Sequence, residues 1–100
     1  MIYLVVHLTY IDGNQVEGAE YERTVLAYWR EHGGEVMGAL RPAAWADGTR
    51  AADEIQLLRI PSRAQMESYL ADARRVALAA VRDRSVAKTE LVISEEILDR

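Results

Sequence analysis

The sequence predicts an α+β fold: a four-stranded antiparallel sheet with two helices on one face, in the β-α-β-β-α-β order of a ferredoxin-like sandwich. Three observations carry that reading. Ile2 to Tyr10 and Glu54 to Ile60 have β character, and each is followed by a stretch with helical spacing. Gly33-Gly34 and Pro61-Ser62 punctuate the chain where helix must give way to strand and strand to helix. No linker separates the two similar halves, so residues 1–100 form a single domain. Right-handed crossovers then bring both helices to the same side.

The first strand, Ile2 to Tyr10, is rich in β-branched and aromatic residues, and Asp12-Gly13-Asn14 ends it as a turn. Tyr21, Val25, Tyr28, Trp29 and His32 recur at helical spacing, which sets the first helix at Val16 to His32 with Glu22 assigned to its outer side. Gly33-Gly34 closes it, because a left-handed C-cap costs glycine almost nothing. The second strand covers Glu35 to Leu40, with an extension toward Trp45 left open, and Pro42 marks its end as an edge or a bulge. After the Asp47-Gly48-Thr49 turn, the third strand runs from Glu54 to Ile60. Pro61 stops it, and Ser62 with Gln65 three residues later has the form of a capping box. The second helix is expected from Ser62 to about Val86, in two pieces divided at Asp72, with Met66, Tyr69, Leu70, Ala73, Ala77, Ala80 and Val81 facing inward. Lys88 to Glu96 is the fourth strand.

Composition narrows the function classes. Half of the residues are apolar, which excludes disorder, and a formal charge of −4 argues against a nucleic-acid partner. Cysteine is absent, so there is no disulfide framework, thiol nucleophile or thiolate metal site, in keeping with a cytoplasmic location. The apolar start lacks a basic leader, and no apolar run reaches the ~20 residues that span a bilayer, so a soluble protein without a membrane partner is expected.

One face of the sheet is unexplained. The first strand is largely apolar on both sides, and Leu57-Leu58 and Leu91-Val92-Ile93 place apolar residues on both faces of the third and fourth strands. An antiparallel sheet with a water-facing side alternates more cleanly. A second copy of the sheet covering this face, and hence a homodimer, is the simplest remedy.

Tyr21-Glu22, His32-Gly33-Gly34, Ile60-Pro61-Ser62 and Tyr69-Leu70-Ala71-Asp72 together resemble the small uncharacterised bacterial proteins of the dimeric α/β-barrel superfamily. Antibiotic-biosynthesis monooxygenases, muconolactone isomerases and haem-degrading monooxygenases belong to the same superfamily. The likeness extends over nearly the whole chain, but its motifs are caps, a corner and a helix stripe, so it implies a fold more than an activity. What it implies of activity is a cofactor-independent enzyme of monooxygenase, isomerase or cyclase type, or a non-catalytic binder or structural homodimer. The haem-degrading relatives use a histidine from the second helical region, and Ser62 to Val86 contains none; no cofactor is expected.

Among individual residues, His7 is the candidate acid or base, with hydrogen bonding inside a sheet interface as the competing reading. Tyr3, Tyr28, Trp45 and Arg59 are candidates for lining a pocket for a small aromatic or acidic compound. Arg59 equally suits a salt bridge to Glu90, Glu95 or an acid of a partner chain. His32 reads as a helix C-cap, and Arg74, Arg75, Arg82 and Arg84 as a solvated basic face. With two histidines and no cysteine, no metal site is expected.

Overall fold

In a computed structural model that describes residues 1–100, the central strand is β1 (Ile2–Tyr10). Its neighbours are β3 (Glu54–Ile60) and β4 (Val86–Ser94), with β2 (Glu35–Leu40) on the outer edge of β3, giving the antiparallel order β2-β3-β1-β4. This is the α+β ferredoxin-like arrangement. Ile2 faces Ile60 and Leu8 faces Glu54 across one ladder; Tyr3 faces Ser94 and Tyr10 faces Val86 across the other. The alternation of β1 is strict: Ile2, Leu4, Val6, Leu8 and Tyr10 are buried, while Tyr3, Val5, His7 and Thr9 are half-buried on the opposite side. A register shift between Val36 and Gly38 bends the edge strand β2, which stops at Leu40 well short of Trp45.

Helix α1 (Gln15–Glu31) lays Gly18, Tyr21, Glu22, Val25 and Trp29 on the sheet. Gly33, at φ 88°, ends the approach to β2, because a left-handed backbone costs glycine little. Gly34 is required for a different reason: a Cβ there would sit 2.3 Å from Nε1 of the buried Trp29 indole, which donates to the Glu35 carbonyl.

The second helical region departs from the expected two pieces. It forms α2 (Arg63–Leu70), a single turn α3 (Ala73–Val76) and α4 (Ala79–Ser85), and β4 follows directly, starting two residues before the expected Lys88 and ending at Ser94. Each interruption resets the helical phase. Of the expected inner stripe, Met66, Tyr69 and Val81 do face inward, whereas Leu70, Ala73, Ala77 and Ala80 are exposed and Leu78 turns inward in their place.

Ser62 does cap α2, its Oγ accepting from the Gln65 backbone N–H at 3.2 Å, and Asp72 caps α3 through the Arg74 N–H. The reciprocal half of the capping box is missing. The Gln65 side chain accepts from Ser62 Oγ and donates to the His32 carbonyl at 3.1 Å, so it fastens the end of α1 to the start of α2.

Only 16 residues are buried, and the Cα positions span 40 × 35 × 15 Å, the thickness of one sheet and one helical layer. The sheet face opposite the helices carries Tyr3, Val5, His7, Ile55, Leu57 and Val92, with Val92 60% exposed. Leu91 and Ile93 belong to the helix face, yet remain 46% and 44% exposed because the broken second helical region leaves β4 partly bare. No helix is long and apolar enough to cross a membrane.

Candidate functional site between helices and sheet

A cavity of about 310 Å³ opens between α1, the α2–α4 segment and the inner face of the sheet. Leu4, Val6, Leu8 and Leu58 form its floor, with Val25, Leu26 and Trp29 along the α1 wall. Tyr69 meets Trp29 edge to face, ring centroids 5.1 Å apart. The polar groups are few: Glu22, Gln56, Tyr21, Tyr69, Thr89 of β4, and two arginines, Arg75 and Arg82, from the segment that covers it. An apolar pocket with a small number of convergent polar groups is the usual form of a small-molecule site.

Glu22 reaches this cavity because it lies four residues after Gly18, three before Val25 and seven before Trp29, all on the inner side of α1. It is 8% exposed. Gln56 reaches it because β3 alternates, Gln56, Leu58 and Ile60 facing the helices; Gln56 is 1% exposed. Its amide Nε2 donates to Glu22 Oε1 at 2.9 Å and to Glu54 Oε2 at 2.8 Å, and the Tyr10 hydroxyl donates to Glu54 Oε1 at 3.1 Å. Glu22 Oε2 accepts no hydrogen bond and is not sealed from the cavity it faces.

The electrostatics follow from this placement. Burial raises the Glu22 carboxyl above its ordinary value, and the charge of Glu54 adds to the rise; the Gln56 hydrogen bond and the Arg75 charge oppose them. Burial pushes the Tyr69 phenol up to about 12, against the opposing charge of Arg75, and also raises Tyr21. Both phenols are neutral hydrogen-bonding groups at physiological pH, while the carboxyl is biased toward its protonated form. A carboxylic acid so placed is suited to giving and taking protons.

The residues singled out from sequence are not gathered here. His7 is on the open sheet face, where the Trp45 ring stacks over it at 6.1 Å and 13°. A shallow cleft of about 270 Å³ beside them includes Thr9, Arg50, Lys88 and Glu90. Tyr3 and Arg59 face each other across β1 and β3 on the same side, four residues along the strand from His7. Arg59 pairs with neither Glu90 nor Glu95. Its Nε donates to Glu35 Oε2 at 2.8 Å, because Glu35 is its direct neighbour on β2 whereas β4 lies beyond β1. Tyr28 is in the other layer, under the Arg74 guanidinium at 4.1 Å. His32 is the C-cap of α1, its backbone N–H donating to the Tyr28 carbonyl at 3.1 Å, and its Nε2 lies 2.8 Å from Asp72 Oδ2, a cross-link to the start of α3.

Glu22, Gln56, Tyr69 and Arg75 are the site residues that sequence reasoning passed over or read as structural. The signal for Glu22 was its spacing to Gly18, Val25 and Trp29; for Gln56, its inward parity on β3. Arg75 left no comparable trace, since its position depends on the break at Asp72. No three histidine, aspartate and glutamate side chains converge to hold a metal ion.

The fold and cavity define an α+β ferredoxin-like protein with a pocket between sheet and helices. The chain belongs to the DUF1330 family, a domain of unknown function, whose model matches residues 1–97. Among solved structures it is similar to a protein of unknown function from Rhodopseudomonas palustris, with 15% identity over 98% of this chain and 83% of that one and a TM-score of 0.83. It is also similar to a putative antibiotic biosynthesis monooxygenase from Nitrosomonas europaea, with 17% identity, coverage of 98% and 100%, and a TM-score of 0.71. A third is SnoaB, a cofactor-independent oxygenase from Streptomyces nogalater, with 10% identity, coverage of 98% and 94%, and a TM-score of 0.68. At these identities the likeness is one of fold. No curated protein matches the chain.

Proposed function

We propose that the cavity is the active site of a small cofactor-independent enzyme, of monooxygenase, isomerase or cyclase type, acting on a small aromatic or acidic compound. The observation that carries this reading is Glu22: a buried carboxyl, raised in pKa by its burial, with one oxygen tied to Gln56 and the other open to an aromatic-lined cavity. The ionised fraction of such a group takes a proton from a phenolic O–H or an activated C–H onto Oε2, and the electron pair stays on the substrate as a delocalised anion. Return of the proton at another atom is an isomerisation; reaction of the anion with dioxygen is an oxygenation. Gln56 fixes the carboxyl, and most of the surrounding lining is apolar. The fold shared with a cofactor-independent oxygenase supports this class of chemistry without specifying it.

The test is deuterium exchange into enolisable aromatic ketones and phenols incubated with the protein in heavy water. Exchange is expected with the wild type and should fall at least ~100-fold in Glu22→Gln, in line with the usual contribution of a general acid or base. Equal exchange by both proteins removes Glu22 from the chemistry. Binding at the cavity without any exchange favours a non-catalytic ligand-binding protein.

A separate observation supports a homodimer. The open face bearing Tyr3, Val5, Ile55, Leu57 and Val92 has no covering layer in one chain, and Arg59 on it is already neutralised by Glu35. A self-complementary apolar face of this kind suits isologous packing of two sheets. In such a dimer the His7–Trp45 stack lies at the interface, apart from the proposed Glu22 site.

A further inference from the structure

Helices α3 and α4 carry four arginines, and three have acidic partners. Arg74 bonds Asp72 and Glu31, Arg82 lies 3.3 Å from Asp83, and Arg84 lies 2.6 Å from Glu17. Arg75 has none. Its Nη1 donates to the Leu70 carbonyl at 3.2 Å, and its guanidinium sits 5.2 Å from the centre of the Tyr69 ring. Its Nε is the one buried side-chain nitrogen or oxygen in the chain without a hydrogen-bond partner. A buried donor left unpaired is costly, so a guanidinium with an unpaired Nε and no acidic partner beside a cavity suits an acceptor from outside the chain. Glu22 does not supply it: the two side chains share no hydrogen bond, and Gln56 already holds the carboxyl.

Resting on the reading of the cavity as a substrate site, we infer that its ligand is a planar aromatic monoanion and that Arg75 selects it by binding the anionic oxygens. A guanidinium presents two parallel N–H donors to a carboxylate, a geometry that a lysine ammonium does not reproduce. Nε is occluded as the cavity stands, so the anion meets Nη2 first. The ring system then rests among Trp29, Tyr21 and Tyr69, with Glu22 on the α1 wall. A volume of about 310 Å³ is at the lower end for ligand pockets and suits one or two fused rings.

The test compares 2-naphthoate with its neutral isostere 2-naphthamide, titrated by NMR into wild type, Arg75→Gln, Arg75→Lys and the control Arg84→Gln. Amide shifts of Glu22, Trp29 and Gln56 report occupancy of the cavity. Wild type and Arg84→Gln should bind the acid at least tenfold more tightly than the amide. Arg75→Gln should bind both equally, and Arg75→Lys should restore only part of the preference. Unperturbed amide spectra away from residues 70–78 establish that the variants are folded. Equal binding of both ligands by the wild type, or a preference that survives in Arg75→Gln, overturns the role of Arg75 and leaves the cavity site standing. Absence of any cavity shift with either ligand refutes the cavity as a site for aromatic compounds, and this inference with it.

Discussion

Gly18 is where two ordinary effects of similar size compete, and the structure decides the sign. It lies inside α1, where exchanging glycine for alanine normally stabilises by about 1 kcal/mol through helix propensity. A Cβ at this position would lie 2.4 Å from Tyr10 Cδ1, 2.8 Å from Tyr10 Cε1 and 3.2 Å from the Ser85 carbonyl oxygen. Carbon atoms in good contact are ~3.5–4.0 Å apart, so the Tyr10 ring must retreat by about 1 Å. It has little freedom to do so, being 7% exposed and held by its hydroxyl on Glu54. Overpacking of this kind costs about 1–3 kcal/mol, which outweighs the propensity gain and leaves Gly18→Ala destabilised by about 1 kcal/mol. For a domain of this size that is a fall in Tm of roughly 4–8 °C. The assay is thermal and urea denaturation at one fixed protein concentration, so that any association equilibrium is constant between variants. A double-mutant cycle with Tyr10→Leu isolates the contact. With the ring gone, Gly18→Ala should become stabilising by about the helix-propensity difference. A higher Tm for Gly18→Ala in the otherwise wild-type chain would refute the reasoning.

Ser62→Ala removes the acceptor for the Gln65 N–H and should cost about 1 kcal/mol, read as a lower urea midpoint at unchanged m-value. Glu22→Gln keeps an acceptor for Gln56 but removes an ionisation. Because the folded carboxyl is raised above its ordinary 4.5, the unfolded chain releases that proton first, and wild-type stability declines as pH rises through the interval between the two values. Stability of Glu22→Gln relative to wild type should therefore increase from pH 4 upward and level off once the folded carboxyl is ionised; a gap that is constant with pH contradicts the burial of that charge. The sheet-to-sheet dimer predicts a sedimentation coefficient of two chains at micromolar concentration, abolished by Val92→Glu, whereas a wild-type monomer would exclude it.

The order of elements was legible in the chain because its signals are local. Gly33 must adopt a positive φ, Pro61 cannot continue a ladder, and Ser62 offers an oxygen to the next turn whatever surrounds it. Parity along β1 likewise puts Tyr3, Val5, His7 and Thr9 on one face, whatever that face meets. The site was not legible in the same way. Tyr28, assigned with His7 to one pocket, lies in the opposite layer, since helical spacing gives a residue's angle about its own axis and not the distance to a strand. Glu22 looked like one more surface acid of an acidic helix, although its spacing to Gly18 and Trp29 already placed it inward. Only the packed sheet showed that its partner is Gln56, 34 positions along the chain. Arg75 was beyond reach from sequence, because its direction is set by the break at Asp72, itself held by His32 and Arg74. Backbone chemistry acts between neighbours and can be read along the chain; the charge state of a carboxyl and the unpaired Nε of a guanidinium depend on which distant segments exclude water around them.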